Sequence, residues 1–318
     1  MEYNTEIDSV GVRAEFKSAP MQRDVLIRLK HHVSSIVGLE IIAKEQMFGN
    51  GGKRVDYFVY YKNITLASIK TGAYGRGNTT YFLNVVCAGL KSYDDYIDDL
   101  RYDLLLSVCS WFNDNRVSFR LRELDCNIDA ICPYANFHVI QTKRAPRGKY
   151  NSNEEQVYTT THYMQKKTKY RSAGTAALFY DKQAKEALYE PTSRFEMKLV
   201  LREEHTKDIS TLYKRIVSMF DRYAVFYFEN LNVKNELMVI QNHIESSINS
   251  NKAIEYKKLI LQLNNYRLYP NIDYIMGFIQ RLYTIRNFKM VVRHEKSENI
   301  SIDKTGIPFN FDEECNFL

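Results

Sequence analysis

A tyrosine, a lysine and three carboxylates stand at positions where they could cut a phosphodiester. Tyr180 ends the short apolar run Ala176–Phe179, and Lys182 follows it by two residues. After Pro191 the chain alternates from Ser193: Phe195, Met197 and Leu199 share one side, and Arg194, Glu196 and Lys198 the other. Upstream, Leu124, Cys126 and Ile128 alternate with Asp125, Asn127 and Asp129. Carboxylates are hard oxygen ligands of the kind that hold Mg²⁺ or Mn²⁺ beside a phosphate. A phenol is mostly protonated at neutral pH, because its ordinary pKa is about 10. Lys182 and a metal-bound phosphate would favour the phenolate and offset charge in the transition state. The same alternation also describes a sheet face carrying ordinary solvated charges. With 24 tyrosines in the chain, Tyr180 by itself is equally a core or surface residue.

The elements that must position these groups read as an α+β fold, a central and mainly antiparallel sheet with flanking helices. Ile7–Lys17 alternates as a first strand, and Ser18-Ala-Pro-Met opens a helix over Met21–Val37. Asp56–Tyr61, Thr65–Lys70 and Tyr81–Cys87 are strand-like, separated by turn glycines. Tyr93–Asn113 repeats apolar residues every three and four positions behind an acidic start. Arg122–Ile131 and the run from Ser193 are the two alternating strands. After Glu203 the pattern turns helical: Asp208–Ala224, Asn235–Ile248, Ala253–Leu263 and Ile272–Tyr283. The expected division is a mixed α+β domain over 1–204 and a helical C-terminal region over 205–318.

The chain has 318 residues, 45% hydrophobic and 26% charged, the profile of a soluble globular protein. No apolar run approaches the roughly 18 residues that span a bilayer. With no secretory pattern at its start, a cytoplasmic location and no membrane partner are expected. Five scattered cysteines without a CxxC pair read as reduced thiols. The net charge of +6 permits a polyanionic partner. The glycines of Phe48–Arg54 and Gly72–Gly77 match neither a Walker loop nor GxGxxG. No histidine set has zinc spacing, and His138 and His162 stand alone. Residues 141–171 are strongly basic and rich in tyrosine; Lys166, Lys167, Lys169 and Arg171 would track a DNA backbone while rings stack on unpaired bases. A solvated loop has the same composition.

In order and spacing these segments resemble the rolling-circle replication initiators of the Rep_trans type, found on small plasmids, and more distantly the gene-two nickases of filamentous phages. The family's tyrosine motif corresponds to Leu178-Phe179-Tyr180-Asp181-Lys182 through Glu186. Its following strand corresponds to Ser193-Arg194-Phe195-Glu196-Met197-Lys198-Leu199, and its upstream acidic strand to Glu123-Leu124-Asp125-Cys126-Asn127-Ile128-Asp129. Glu123 replaces the family's usual arginine, and no histidine-hydrophobe-histidine triplet is present. The resemblance implies a relaxase-like fold and metal-dependent nicking of origin DNA, single-stranded or cruciform at the nick site. Tyr180 would be the nucleophile, with Asp125 and Glu196 holding Mg²⁺ or Mn²⁺ and Asp129 as a further ligand. It also implies a 5′-phosphotyrosine, a 3′-OH primer, a host helicase and a possible homodimer. Termination would require a second protomer or another nucleophile, for which Tyr163 and Tyr170 are candidates. Two other classes compete. One is an origin-binding replication or copy-control protein without catalysis. The other is a tyrosine recombinase, which the missing HxxR disfavours.

Overall fold

The computed structural model describes residues 2–47, 53–75, 78–91, 94–141, 156–157, 160–164, 175–246 and 252–292. In chain order these form β1 (Tyr3–Phe16), α1 (Ala19–Ser34), β2 (Leu39–Met47), β3 (Lys53–Tyr61), β4 (Ile64–Tyr74) and β5 (Thr80–Ala88). Next come α2 (Asp95–Asp114), β6 (Phe119–Ala130), β7 (Phe137–Gln141), β8 (Gln156–Val157), β9 (Thr161–Tyr163) and β10 (Thr175–Asp181). Then follow α3 (Lys182–Glu186), β11 (Ser193–Val200), α4 (Ile209–Phe220), β12 (Tyr223–Tyr227), α5 (Leu231–Ser246), α6 (Lys252–Gln262), β13 (Arg267–Leu268) and α7 (Ile272–Thr284). No helix among the described residues is long and apolar enough to cross a membrane.

The fold is α+β. Ten strands form one sheet in the order β2-β3-β4-β5-β1-β6-β11-β10-β9-β8, each neighbouring pair antiparallel. One face is apolar because alternate residues point there: Val10 and Val12 from β1, Leu124, Cys126 and Ile128 from β6, and Phe195, Met197 and Leu199 from β11. Against it pack Leu29 and Val33 of α1, Leu104 and Val108 of α2, Ile216 of α4, and Ile275 and Ile279 of α7. Residues on both sides of position 204 share this cluster. A smaller sheet, β13-β12-β7, builds a second core of Phe226, Phe228 and Ile140 with Leu237 of α5 and Leu259 of α6.

Helix starts follow local capping chemistry. The Ser18 hydroxyl accepts from the Met21 amide at 3.4 Å, Asp94 from Ile97 at 3.1 Å, and Asp208 from Thr211 at 2.8 Å. Two strands depart from the sequence pattern. Leu39–Met47 is an edge strand with mostly exposed residues, so no buried face imposes alternation on it. The helix expected over Asp208–Ala224 stops at Phe220, and Tyr223–Phe226 form a buried strand between β7 and β13. Cys87, Cys109, Cys126 and Cys132 are buried free thiols.

Candidate active site

The polar face of the sheet holds the candidate chemistry, and strand register explains why. On β6 and β11, Asp129 lies opposite Arg194, Asn127 opposite Glu196, and Asp125 opposite Lys198. Tyr180 of β10 lies opposite Arg194, which places it diagonally beside Glu196. Positions 125 and 196, distant in sequence, therefore share one face of adjacent strands.

Tyr180 is 2% exposed. Its hydroxyl donates to Glu196 Oε2 at 3.1 Å, and Lys185 Nζ lies 4.7 Å from the ring centroid. Burial, reinforced by the Glu196 charge, holds the phenol well above its ordinary pKa. Asp181 ends β10 and caps α3 by accepting from the Ala184 amide at 2.9 Å. That turn brings Lys182 inward, where it is 2% exposed and pairs with Glu186. Burial lowers the Lys182 pKa, and the nearby Arg194 charge lowers it further.

Lys198 Nζ bridges the two candidate metal carboxylates, 3.1 Å from Asp125 Oδ2 and 3.3 Å from Glu196 Oε1. Burial pushes Asp125 up to about 7; Lys198 opposes this and Glu196 adds to it. Burial also works against ionised Glu196, yet Lys198, Arg194 and Lys185 outweigh it and hold Glu196 down at about 2. The two carboxylates titrate as a pair whose second charge is costly near neutrality. The sign for Asp125 follows from its folded pKa lying above the ordinary 3.8. Its contribution to stability is present at acid pH and is lost as pH rises through about 7. Asp125→Asn is thus expected to melt progressively higher relative to the unmodified protein as pH is raised from 4 to 8, read by thermal denaturation across that range. The Glu196 contribution changes between about pH 2 and its ordinary 4.5, so it overlaps this window only at the acid end.

Asp129 belongs to a different contact. Its two oxygens accept from Arg194 Nε and Nη2, both at 2.6 Å. The hydrogen-bond pattern turns the Asn127 amide oxygen toward the same guanidinium, where it accepts from Nη1 at 3.1 Å and Nη2 at 3.2 Å. Arg194 Nη1 also lies 3.4 Å from Asp8 Oδ1. Both oxygens of the third expected ligand are thus engaged by an arginine, apart from the carboxylates bridged by Lys198.

Asp8 is the group that sequence reasoning missed. It is the extra residue of a β-bulge, since Ile7 pairs with Cys126 and Ser9 with Asp125. Burial raises its pKa, Arg194 opposes, and Glu196 adds to the rise. The signal lay in the spacing of core residues Ile7 and Val10, three apart where an unbroken strand requires two or four.

His138 Nε2 meets Gln241 Oε1 at 2.9 Å, and the His162 ring stacks on Phe179 at 4.6 Å, so both have structural partners. Lys166, Lys167, Lys169, Arg171 and Tyr170 lie outside the described residues, as does the side chain of Tyr163.

Asp125 and Glu196 fit a small divalent cation in chemistry. They are hard donors on one face, and their shared contact with the Lys198 ammonium shows that a positive charge is accommodated between them. Mg²⁺ commonly takes one or two carboxylates and completes its shell with water and phosphate oxygens. Among the described residues no group of three or more histidine, cysteine or acidic side chains is arranged to hold a metal.

No protein-family model matches the chain, and no curated protein matches it. Among solved structures it is similar to a rolling circle replication initiator protein from Geobacillus stearothermophilus. The TM-score is 0.38 at 12% sequence identity, covering 90% of this chain and 99% of that one.

Proposed function

We propose that the protein initiates rolling-circle replication of a plasmid or phage genome by nicking one strand of its origin with Tyr180. The observation that carries this reading is the hydrogen bond from the Tyr180 hydroxyl to Glu196 at 3.1 Å, on the sheet face that also bears Asp125. It agrees with the ordered sequence motifs of the Rep_trans initiators. Glu196 orients the phenol, and the carboxylate pair takes its proton as the oxygen attacks the scissile phosphorus. The bond from phosphorus to the tyrosyl oxygen forms, the bond to the 3′ oxygen breaks, and that oxygen leaves as the 3′-OH primer after protonation by water. The strand's 5′ phosphate stays on Tyr180, so rejoining requires no ATP. Asp125 and Glu196 would hold the Mg²⁺ or Mn²⁺, whose chemistry is to polarise the phosphate. Lys182 supplies positive charge beside the transferring group. Asp129, engaged with Arg194, acts through the arginine in this reading.

The substrate is single-stranded or cruciform DNA, because a strand free of its complement bends into the site without the energy of distorting a duplex. A host helicase would extend the opening. A second protomer, or Tyr163 or Tyr170, would end the round.

A second reading, a non-catalytic origin-binding replication or copy-control protein, is favoured by the 2% exposure of Tyr180. The two part in one experiment: incubation with single-stranded oligonucleotides from the protein's own replicon and Mn²⁺ or Mg²⁺. Nicking gives a covalent adduct on a denaturing gel that EDTA prevents. Binding without an adduct at any metal concentration selects the second reading.

A further inference from the structure

An open pocket of about 460 Å³ lies at the N-terminal end of β1, lined by Tyr3, Asn4, Glu6, Tyr269, Asn271 and Tyr274 among others. It gathers three tyrosine rings and several hydrogen-bonding side chains. Tyr3 is 39% exposed, Tyr269 45% and Tyr274 44%, so ring surface is available to a guest.

Its place in the fold ties it to the candidate active site. Asn4 lies opposite Asp129 and Glu6 opposite Asn127, so both side chains share the face that carries Glu196 and Asp125. Glu6 interacts electrostatically with Asp129 and Arg194. Strand β1 gains its β5 partner only from Ser9 onward, leaving Tyr3–Ile7 without a strand on that side among the described residues. The start of α7 closes on this edge instead, with the Asn271 amide donating to Thr5 Oγ1 at 2.7 Å and the Tyr274 hydroxyl bonding to Glu6.

The walls are already braced. The Arg267 guanidinium lies 4.8 Å from the Tyr269 ring centroid, and the Tyr269 hydroxyl bonds to Asn264. Tyr274 lies in the first turn of α7, which Asn271 caps by accepting from the Tyr274 amide at 3.0 Å. Rings held in this way lose little freedom when a flat guest stacks on them.

Resting on the reading of the chain as a nicking protein, we propose that this pocket receives an unpaired base of the DNA strand flanking the nick, stacked on Tyr269. Glu6 and Asn4 would read its hydrogen-bonding edge. A carboxylate accepts from an exocyclic amine, which cytosine and adenine carry and thymine lacks. The pocket therefore favours cytosine or adenine over thymine. Stacking on an aromatic ring contributes enough to change affinity several-fold to about a hundredfold per base.

The test is binding of fluorescent oligo-dC, oligo-dA and oligo-dT by the full chain carrying Tyr180→Phe, without divalent metal, followed by anisotropy. This background separates base capture from nicking: a failed nickase reading leaves the measurement intact. Tyr269→Ala is expected to weaken oligo-dC binding about tenfold and Tyr269→Phe to leave it unchanged. Glu6→Leu, which removes the acceptor, is expected to erase the preference for oligo-dC and oligo-dA over oligo-dT. Thermal denaturation confirms that each variant is folded, and Tyr269→Leu, which keeps side-chain bulk but removes the aromatic face, serves in place of Tyr269→Ala if that variant is not, with the same weakening of oligo-dC binding expected. Equal affinity of folded Tyr269→Ala and its parent overturns the proposal. So does equal binding of the three oligonucleotides by the parent.

Discussion

Arg194→Ala is expected to destabilise the protein by about 3–5 kcal/mol, the largest stability loss of any substitution on the polar sheet face. The side chain is fully buried and holds Asp129 through two charge-assisted hydrogen bonds at 2.6 Å. Removing it takes from buried Asp129 its two charge-assisted hydrogen bonds, takes the donors from Asn127, and strips Asp8 of its ion pair with the guanidinium. The cost of stranding those groups exceeds the value of the pair itself, because the intact pair has already lost its hydration. The double variant Asp129→Leu with Arg194→Met is therefore expected to be more stable than Arg194→Ala alone. Urea denaturation of the three proteins measures the order. If Arg194→Ala unfolds within about 1 kcal/mol of its parent, the buried network does not hold these strands together as described.

Glu196→Gln is expected to lower the rate of adduct formation by about 10²–10⁴-fold while the protein stays folded. The amide keeps the shape of the carboxylate and an oxygen that can accept from Tyr180, so the phenol is still oriented. The negative charge is what disappears. Without it, the pair that takes the phenolic proton is reduced to Asp125, and the Lys198 ammonium loses one of its two partners. The loss of a like charge also lowers the pKa of Asp125 from about 7, shifting the pH profile of any residual reaction toward acid. A single-turnover measurement with a labelled oligonucleotide reads both effects. An unchanged rate would remove Glu196 from the chemistry.

The residues show which parts of this arrangement a sequence can disclose. Alternation along Leu124–Asp129 and Phe195–Leu199 places the carboxylates on one side of each strand, and the structure keeps them there. A helix start needs only a nearby acceptor, which is why Ser18, Asp94 and Asp208 mark three starts closely. Pairing between β6 and β11 is another matter. They are separated by more than sixty residues, and nothing local sets the register that joins Asp129 to Arg194 and leaves Asp125 with Glu196. Asp8 was hidden by a one-residue bulge, which reverses the facing of everything before it. The strand at Tyr223–Tyr227 was hidden because its buried run continues the apolar pattern of the preceding helix. The three-tyrosine pocket joins the first and the last elements of the fold, Tyr3–Glu6 with Tyr269–Tyr274, and no local pattern announces it.

The nucleophile's identity is tested most directly by mapping where DNA becomes attached. The protein is incubated with a single-stranded origin oligonucleotide and Mn²⁺, digested, and the nucleotide-bearing peptide sequenced by mass spectrometry. A nucleotide 5′-phosphate is expected on Tyr180, with no adduct from Tyr180→Phe. An adduct on another residue, or one that forms undiminished in Tyr180→Phe, would contradict the assignment of Tyr180 as nucleophile.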